Sequence, residues 1–358
     1  MAIVGMCMSM CPEKEFIFRK KHHLLHLLES PEVLFGKTLE IDLNHCVKEF
    51  HRSAAGELIC DPQLVRPSHV LLKTIDYLYS NVLLAKEIPF AVTYNFIFGR
   101  LRSIRQDAVI QMLEENEPVS AMKILAKCIR FYLLAMYKLN IDPKLQIDAH
   151  INLSHTQDCM RSFSKLCYYN LCKLDDRDRN EFLHILAAYV ILNADTTEAI
   201  SNLLCLPKST RNTEILQHAM DVYFAYQTGN FIRISLLFQK LVHAEAYAAL
   251  YALIHNMKTI RTRTVKLLCY SHNSKLCSFP AADFKKWLLL SSEKESVKFC
   301  QQFNLKVVQT NCIKFCKADY SERSSFSTDD CCIVNALKDI SGKFLSQFLL
   351  DGHLTVWK

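Results

Sequence analysis

The chain has 358 residues, half of them apolar, with 43 Lys and Arg against 36 Asp and Glu for a formal charge of +7. Its 7 Gly and 9 Pro are too few for the hairpins and corners of a β-sandwich or barrel, so composition points to an all-α fold. The 16 Cys are under 5 per cent of a long chain and several sit singly in apolar helical runs, as at Cys128, Cys167 and Cys205, which reads as reduced core thiols better than as a disulfide scaffold.

From the N-terminus, residues 1–11 carry no basic region and are too short for a secretory signal or a spanning helix. The longest apolar stretches, 183–194 and 244–254, are also too short to cross a bilayer, so a nuclear or cytoplasmic protein with no membrane insertion is expected. Pro12 suits a first helical turn and Glu13 and Glu15 favour a helix N-terminus, predicting a helix that runs to about Leu28 and stops before Pro31. Residues 30–66 read as a connector with a short helix over Val47–His51. Ser68 is expected to cap a helix from His69 to about Ala85. Pro89 opens the next helix, with Tyr94, Phe96, Ile97, Leu101 and Ile104 on one face.

After a break near Pro118, the apolar spacing predicts helices at about 119–139, 145–172, 177–193, 196–205 and 211–227. Short polar turns between them give a degenerate stack of TPR-like helical hairpins without a strict repeat. Further helices are expected over Ala244–Met257, Thr259–Ser271, Pro280–Leu290 and Ser292–Phe303, then two short strands, 305–308 and 312–315, around Asn311. Helices closed by a small hairpin describe a winged helix. Residues 321–330 are rich in Ser and Asp, and Ile333–Leu350 resumes an amphipathic pattern that could dock back or serve a partner. The expected domains are 1–30, 31–240, 241–320 and 321–358.

No catalytic residues, cofactor or metal are predicted. Cys7 with Cys11, Cys331 with Cys332, and His22, His23 and His26 all lack the paired spacing of a zinc site. No nucleophile motif or phosphate-cradling glycine loop occurs, so an enzyme is not expected. The basic residues are more informative by distribution than by sum. Lys258, Arg261, Arg263 and Lys266 lie in a stretch without acidic side chains, and Lys285 and Lys286 open the following helix, a pattern suited to phosphate contacts or to a solvated helix face.

The segment Cys7-Met8-Ser9-Met10-Cys11-Pro12-Glu13-Lys14-Glu15 follows neither helical nor strand periodicity, and it resembles the opening signature of the Sac/GANP family of helical mRNA-export scaffolds. Val47-Lys48-Glu49-Phe50 with Arg52-Ser53-Ala54-Ala55, Arg66-Pro67 and Thr74-Ile75-Asp76-Tyr77-Leu78 follow in that family's order. Arg100, Arg102, Arg105 and Asp107 then resemble its arginine-rich helix, and Cys128-Ile129-Arg130-Phe131-Tyr132 the helix after it. Met8 stands where the family carries a proline, and Phe96 or Phe98 where it commonly has Trp. Gly229-Asn230-Phe231 is similar to the start of PCI-type modules.

The resemblance implies a non-catalytic scaffold whose PCI-like winged helix pairs with a PCI-type subunit, held by a small acidic subunit. It also implies binding of RNA or single-stranded nucleic acid in nuclear mRNA export. The chain looks like the short form, without Phe-Gly repeats or a centrin-binding helix, whose relatives are linked with the centrosome, the spindle and cell division. That role in centrosome duplication and mitotic progression is the alternative expectation, and an assembly-only PCI subunit the next. Within the signature, Arg19 or an arginine of the Arg100–Arg105 stretch is expected to meet the carboxylates of Glu13 and Glu15, with Glu13–Arg102 the pair singled out.

Overall fold

A computed structural model of the chain describes residues 3–36, 41–52, 61–85, 88–274, 277–308, 312–321, 345 and 348–350. The fold is all-α, with fifteen helices and one small sheet among those residues. They divide into two compact units: Met1–Ala135 with Lys144–Phe182 and Gly342–Lys358, and Met136–Pro143 with Leu183–Ser341. Position 240 falls within a helix of the second unit. Among the described residues no helix is long and apolar enough to cross a membrane.

The first unit begins with an irregular segment, then α1 (Glu13–Lys21), α2 (Pro31–Phe35), α3 (Ser68–Tyr77), α4 (Phe90–Ile110) and α5 (Leu113–Asn116). Most of α6 (Pro118–Ile141), α7 (Ala149–Asn170) and the start of α8 (Asp176–Leu192) complete it. Pro89 precedes α4 as predicted, and Tyr94, Phe96, Ile97, Leu101 and Ile104 are all buried. Helix α6 is apolar nearly all round and is buried nearly all round, as such a helix must be in water. Its Phe131 ring lies between Tyr79 and Tyr94, with centroids 5.9 and 5.7 Å away, and each tyrosine hydroxyl finds a polar partner.

Several elements differ from the sequence reading. Helix α1 ends at Lys21 instead of about Leu28, because His23 turns left-handed at φ 54° and Leu27–Glu29 forms a separate single turn. Ser68 is the first residue of α3 and caps nothing; its hydroxyl donates to Glu117 at 2.6 Å. That helix passes at Leu78 into a π-type turn ending at Val82. Val47–His51 is not helical, since its backbone groups are used by distant side chains and by Met10. Ser53-Ala54-Ala55 lie outside the described residues.

Of the C-terminal tail, Leu345 and Phe348–Leu350 are described; Cys331, Cys332 and the remainder lie outside the described residues. Phe348 and Leu349 are buried in the first unit. Lys127 donates to Leu350 O at 2.7 Å and Arg130 to Leu349 O at 3.0 Å, while Arg130 also pairs with Glu181. Two cations thus satisfy backbone carbonyls of the described part of the tail.

In the second unit, α9 (Glu198–Leu204), α10 (Lys208–Arg211) and α11 (Glu214–Gln227) lead to α12 (Phe231–His243) and α13 (Tyr247–Ser271). Gly229 takes φ 68°, a conformation that costs glycine nothing, and Asn230 then caps α12 by accepting from Arg233 N at 3.0 Å. Helix α13 is continuous, so the break expected near residue 258 is absent. No breaker stands there, and Met257, Ile260, Arg261, Thr264, Val265 and Leu268 carry one buried face straight through.

The chain then forms β1 (Phe279–Pro280), α14 (Ala281–Leu288), α15 (Glu293–Gln301), β2 (Lys306–Val308) and β3 (Cys312–Lys314). The strands make an antiparallel sheet in the order β1-β3-β2, with Phe279 and Val307 flanking Ile313. The expected hairpin is present, although Asn311 lies outside the described residues; β1 was unforeseen because Pro280 reads as a helix start. Ser292 caps α15, and Phe284, Phe299, Phe303, Ile313 and Phe315 form a shared core.

Candidate functional site

Two centres collect the singled-out residues, one in each unit. The first explains the odd N-terminal string. Residues 3–11 form no ladder, so their backbone groups need partners elsewhere. Cys7 N donates to Val65 O at 3.0 Å, Gly5 N to Gln111 Oε1 at 3.0 Å, and Met10 O accepts from both Lys48 N and Arg66 Nη1. A Cβ on Gly5 would stand 2.7 Å from Val65 O, so only glycine allows this approach.

Asp107 on α4 is the anchor of that arrangement. It is fully buried, accepts from Lys48 Nζ at 2.7 Å through Oδ1, and accepts from Arg66 Nε at 2.7 Å through Oδ2. Arg66 spends its remaining donors on Met10 O and Ser103 Oγ, and Lys48 also donates to Leu64 O. Pro67 follows as the residue before α3, where its missing N–H costs nothing.

A second buried carboxylate, Glu29, sits nearby on the single turn after α1. Its Oε2 accepts from Arg19 Nη2 at 2.5 Å and His26 N at 2.9 Å; its Oε1 accepts from Val47 N at 3.0 Å and Arg100 Nη2 at 3.3 Å. Burial alone would raise its pKa, but the guanidiniums of Arg100 and Arg19 outweigh burial and hold it below the usual carboxylate range. His26 Nδ1 accepts from Leu28 N, and burial together with the charge of Arg100 pushes the imidazole pKa down. Cys46 Sγ accepts from Arg19 at 3.1 Å, and the neighbouring Cys11 thiol is pushed up by its hydrogen bond to Cys46 and by burial.

The pairing of Glu13 with Arg102 is not formed. Glu13 is exposed at the start of α1, Lys14 pairs with Asp61 at 3.5 Å, and Glu15 meets Arg19 at 3.8 Å and accepts from Glu49 N at 2.8 Å. Arg102 stacks over Phe50 at 3.9 Å, and Arg105 meets His155 Nδ1 at 2.9 Å. Cys7, Cys11 and Pro12 are buried. Glu29 and Gln111 carried no signal in the sequence; Lys48, Glu49 and Ser103 stood in segments with the family resemblance without an assigned role.

The second centre is the basic face of α13 and α14. Lys258, Arg263 and Lys266 are exposed, and at about 100° per residue they span an arc of roughly 140°. Arg261, about 60° from Lys258 but about 200° round from Arg263, leaves the phosphate-contact set: it is buried, and Nε and Nη2 donate at 3.0 Å to Leu288 O and Leu289 O, closing the end of α14. Lys286 is exposed and Lys285 half-buried. Arg263 lies over the Tyr226 ring at 4.8 Å. Tyr270, four residues after Lys266 and so on its face, is exposed with Lys317 over its ring at 4.6 Å, an aromatic that charge counting missed. Cations flanking an exposed ring suit a phosphate backbone with a base stacked beside it.

Metal ligation finds no support in geometry: among the described residues no three His, Cys, Asp or Glu are placed to hold an ion. His22 packs on Phe18 and His26 serves as a cap.

Comparison with known sequences agrees with the signature. The SAC3/GANP family profile matches residues 10–309. SAC3 family protein 1 of Schizosaccharomyces pombe is 27% identical over 325 residues, covering 86% of this chain and 30% of that protein. SAC3 family protein B of Arabidopsis thaliana is 26% identical over 332 residues, covering 86% and 18%, and Protein xmas of Drosophila melanogaster 24% over 317 residues, covering 86% and 15%. The chain therefore spans less than a third of the length of each of these relatives.

Proposed function

The chain belongs to the SAC3/GANP family, and from that premise we propose that it is a non-catalytic scaffold of nuclear mRNA export that binds RNA or single-stranded nucleic acid. The observation that carries the reading is the exposed face of α13, where Arg263, Lys266 and Tyr270 fall within an arc of about 60° and Lys258 lies roughly 80° from Lys266. This face leads directly into the helix–strand–helix–helix–hairpin order of residues 247–314, which we read as a winged helix of PCI type. Its sheet ends in short strands at both edges, a surface suited to pairing with the corresponding module of a PCI-type subunit, with a small acidic subunit completing the assembly.

Phosphate contacts of this kind release counterions and make binding salt-sensitive and tolerant of sequence. The triple variant Lys258→Gln, Arg263→Gln and Lys266→Gln is therefore expected to bind fluorescent oligouridine at least tenfold more weakly. Its log–log salt slope should be shallower by about 2, since each contact on a single strand contributes roughly 0.7. Anisotropy titrations at several salt concentrations, with helical circular dichroism as the folding control, measure both. Unchanged affinity and slope would return the three cations to a solvated helix face.

A further inference from the structure

A groove in the first unit, at the opposite chemical extreme from the basic face, has no part in the reading above. It lies among the end of α4, α5, the first turns of α6 and the middle of α7, and encloses a cavity of about 360 Å³. That is within the roughly 300–1,000 Å³ typical of ligand pockets. Its walls are apolar: Leu113, Ile124 and Leu125 are buried, while Val109 and Met112 remain 71% and 44% exposed. Large apolar side chains left this open beside a cavity mark a contact surface.

The backbone adds a second sign. Met112 takes φ 52° and ψ 45°, a left-handed conformation that glycine adopts readily and methionine does not. The turn ends α4 and starts α5, and it leaves the Met112 side chain at the cavity wall instead of inside the core. A thioether there is a flexible, polarizable contact able to adapt to different apolar groups.

Charge selects the occupant. Glu114 and Glu115 stand exposed on the lining and have no cationic partner among the described residues. Asp158 on the facing wall is paired with Arg161 at 2.7 Å. Arg105, the cation of the lining, is engaged with His155 Nδ1 at 2.9 Å. Arg105 is half-buried, so beyond the paired Asp158 the exposed charges of the rim are the carboxylates of Glu114 and Glu115 above an apolar floor. We propose that the groove docks a basic, apolar peptide segment of a partner protein, its apolar side chains filling the cavity and its lysines or arginines meeting Glu114 and Glu115.

The test titrates the full chain with a fluorescent amphipathic peptide of Leu and Lys, its Leu and Glu counterpart, and dodecyltrimethylammonium as a free cationic amphiphile. The Leu/Lys peptide is expected to bind. The double variant Glu114→Gln/Glu115→Gln, and separately Met112→Gly, should each weaken it at least tenfold. Met112→Gly relieves the left-handed strain, so thermal stability should be kept or raised while the contact is lost, which separates docking from misfolding. Binding of both peptides alike, binding indifferent to the variants, or binding of the amphiphile with none of the peptide would overturn the proposal.

Discussion

Asp107→Asn is expected to lower the stability of the first unit by about 3–5 kcal/mol, the cost of leaving buried cations without their partner. The amide keeps the volume of the carboxylate, so the loss is electrostatic. Lys48 Nζ and Arg66 Nε each stand 2.7 Å from this group, both side chains are almost wholly shielded from water, and asparagine neutralises neither. The damage should spread to the N-terminal segment, because Arg66, which loses its Asp107 partner, also holds Met10 O. Urea unfolding followed by circular dichroism measures the loss, and limited proteolysis near residue 10 reports the released segment. Combining Asp107→Asn with Lys48→Met and Arg66→Met should recover part of the stability, since removing all the charges removes their desolvation cost too. A single variant that loses under about 1 kcal/mol, the level of an exposed ion pair, would show that the set is not desolvated as described.

Glu29→Gln is expected to have an effect of similar size, about 3–5 kcal/mol, through Arg19 and Arg100. It also has a pH signature. The folded-state pKa of Glu29 is depressed, so its contribution is present above the unfolded value near 4.3 and lost as pH falls through the lower folded value. His26 is depressed as well, so its contribution is present above about 6.5 and declines as pH falls below that, when protonation removes the Nδ1 acceptor from the Leu28 amide. Both effects act in the same direction. The wild-type urea midpoint should fall in two stages on acidification, first below about 6.5 and again below about 4.3, and Glu29→Gln should diminish the second stage and leave the first, Asp42 also being depressed in the acidic range. A midpoint flat from neutrality to pH 4, or a second stage undiminished by the substitution, would contradict this account of the cluster.

The all-α fold and most helices were legible because Pro89, Asn230 and Ser292 announce their own helix starts and the apolar spacing is long and regular. Short or strained pieces were not. His23 turns left-handed with no glycine to advertise it, and β1 is too short for alternation to register. The missing break in α13 has a simpler cause: Lys258 and Thr259 are polar, but a polar pair on the exposed side does not stop a helix whose buried stripe continues. Arg261 is the instructive error at the candidate interface. It was grouped with its neighbours by charge; helical phase separates it from Arg263 by about 200° but from Lys258 by only about 60°, and what removes it is burial against the carbonyls that end α14. In the signature segment the residue types were visible and the partnership was not, because Lys48, which meets Asp107, stands in a connector that no periodicity orders.

The reading of this chain as an RNA-binding export scaffold is tested most directly by purifying it from its native cells beside the Lys258→Gln/Arg263→Gln/Lys266→Gln variant and identifying both the proteins and the crosslinked RNA recovered. The account predicts a PCI-type subunit with both forms and RNA with the unaltered chain only. Centrosomal or spindle proteins in place of that subunit, with equal RNA from the two forms, would contradict it and assign the scaffold to mitosis.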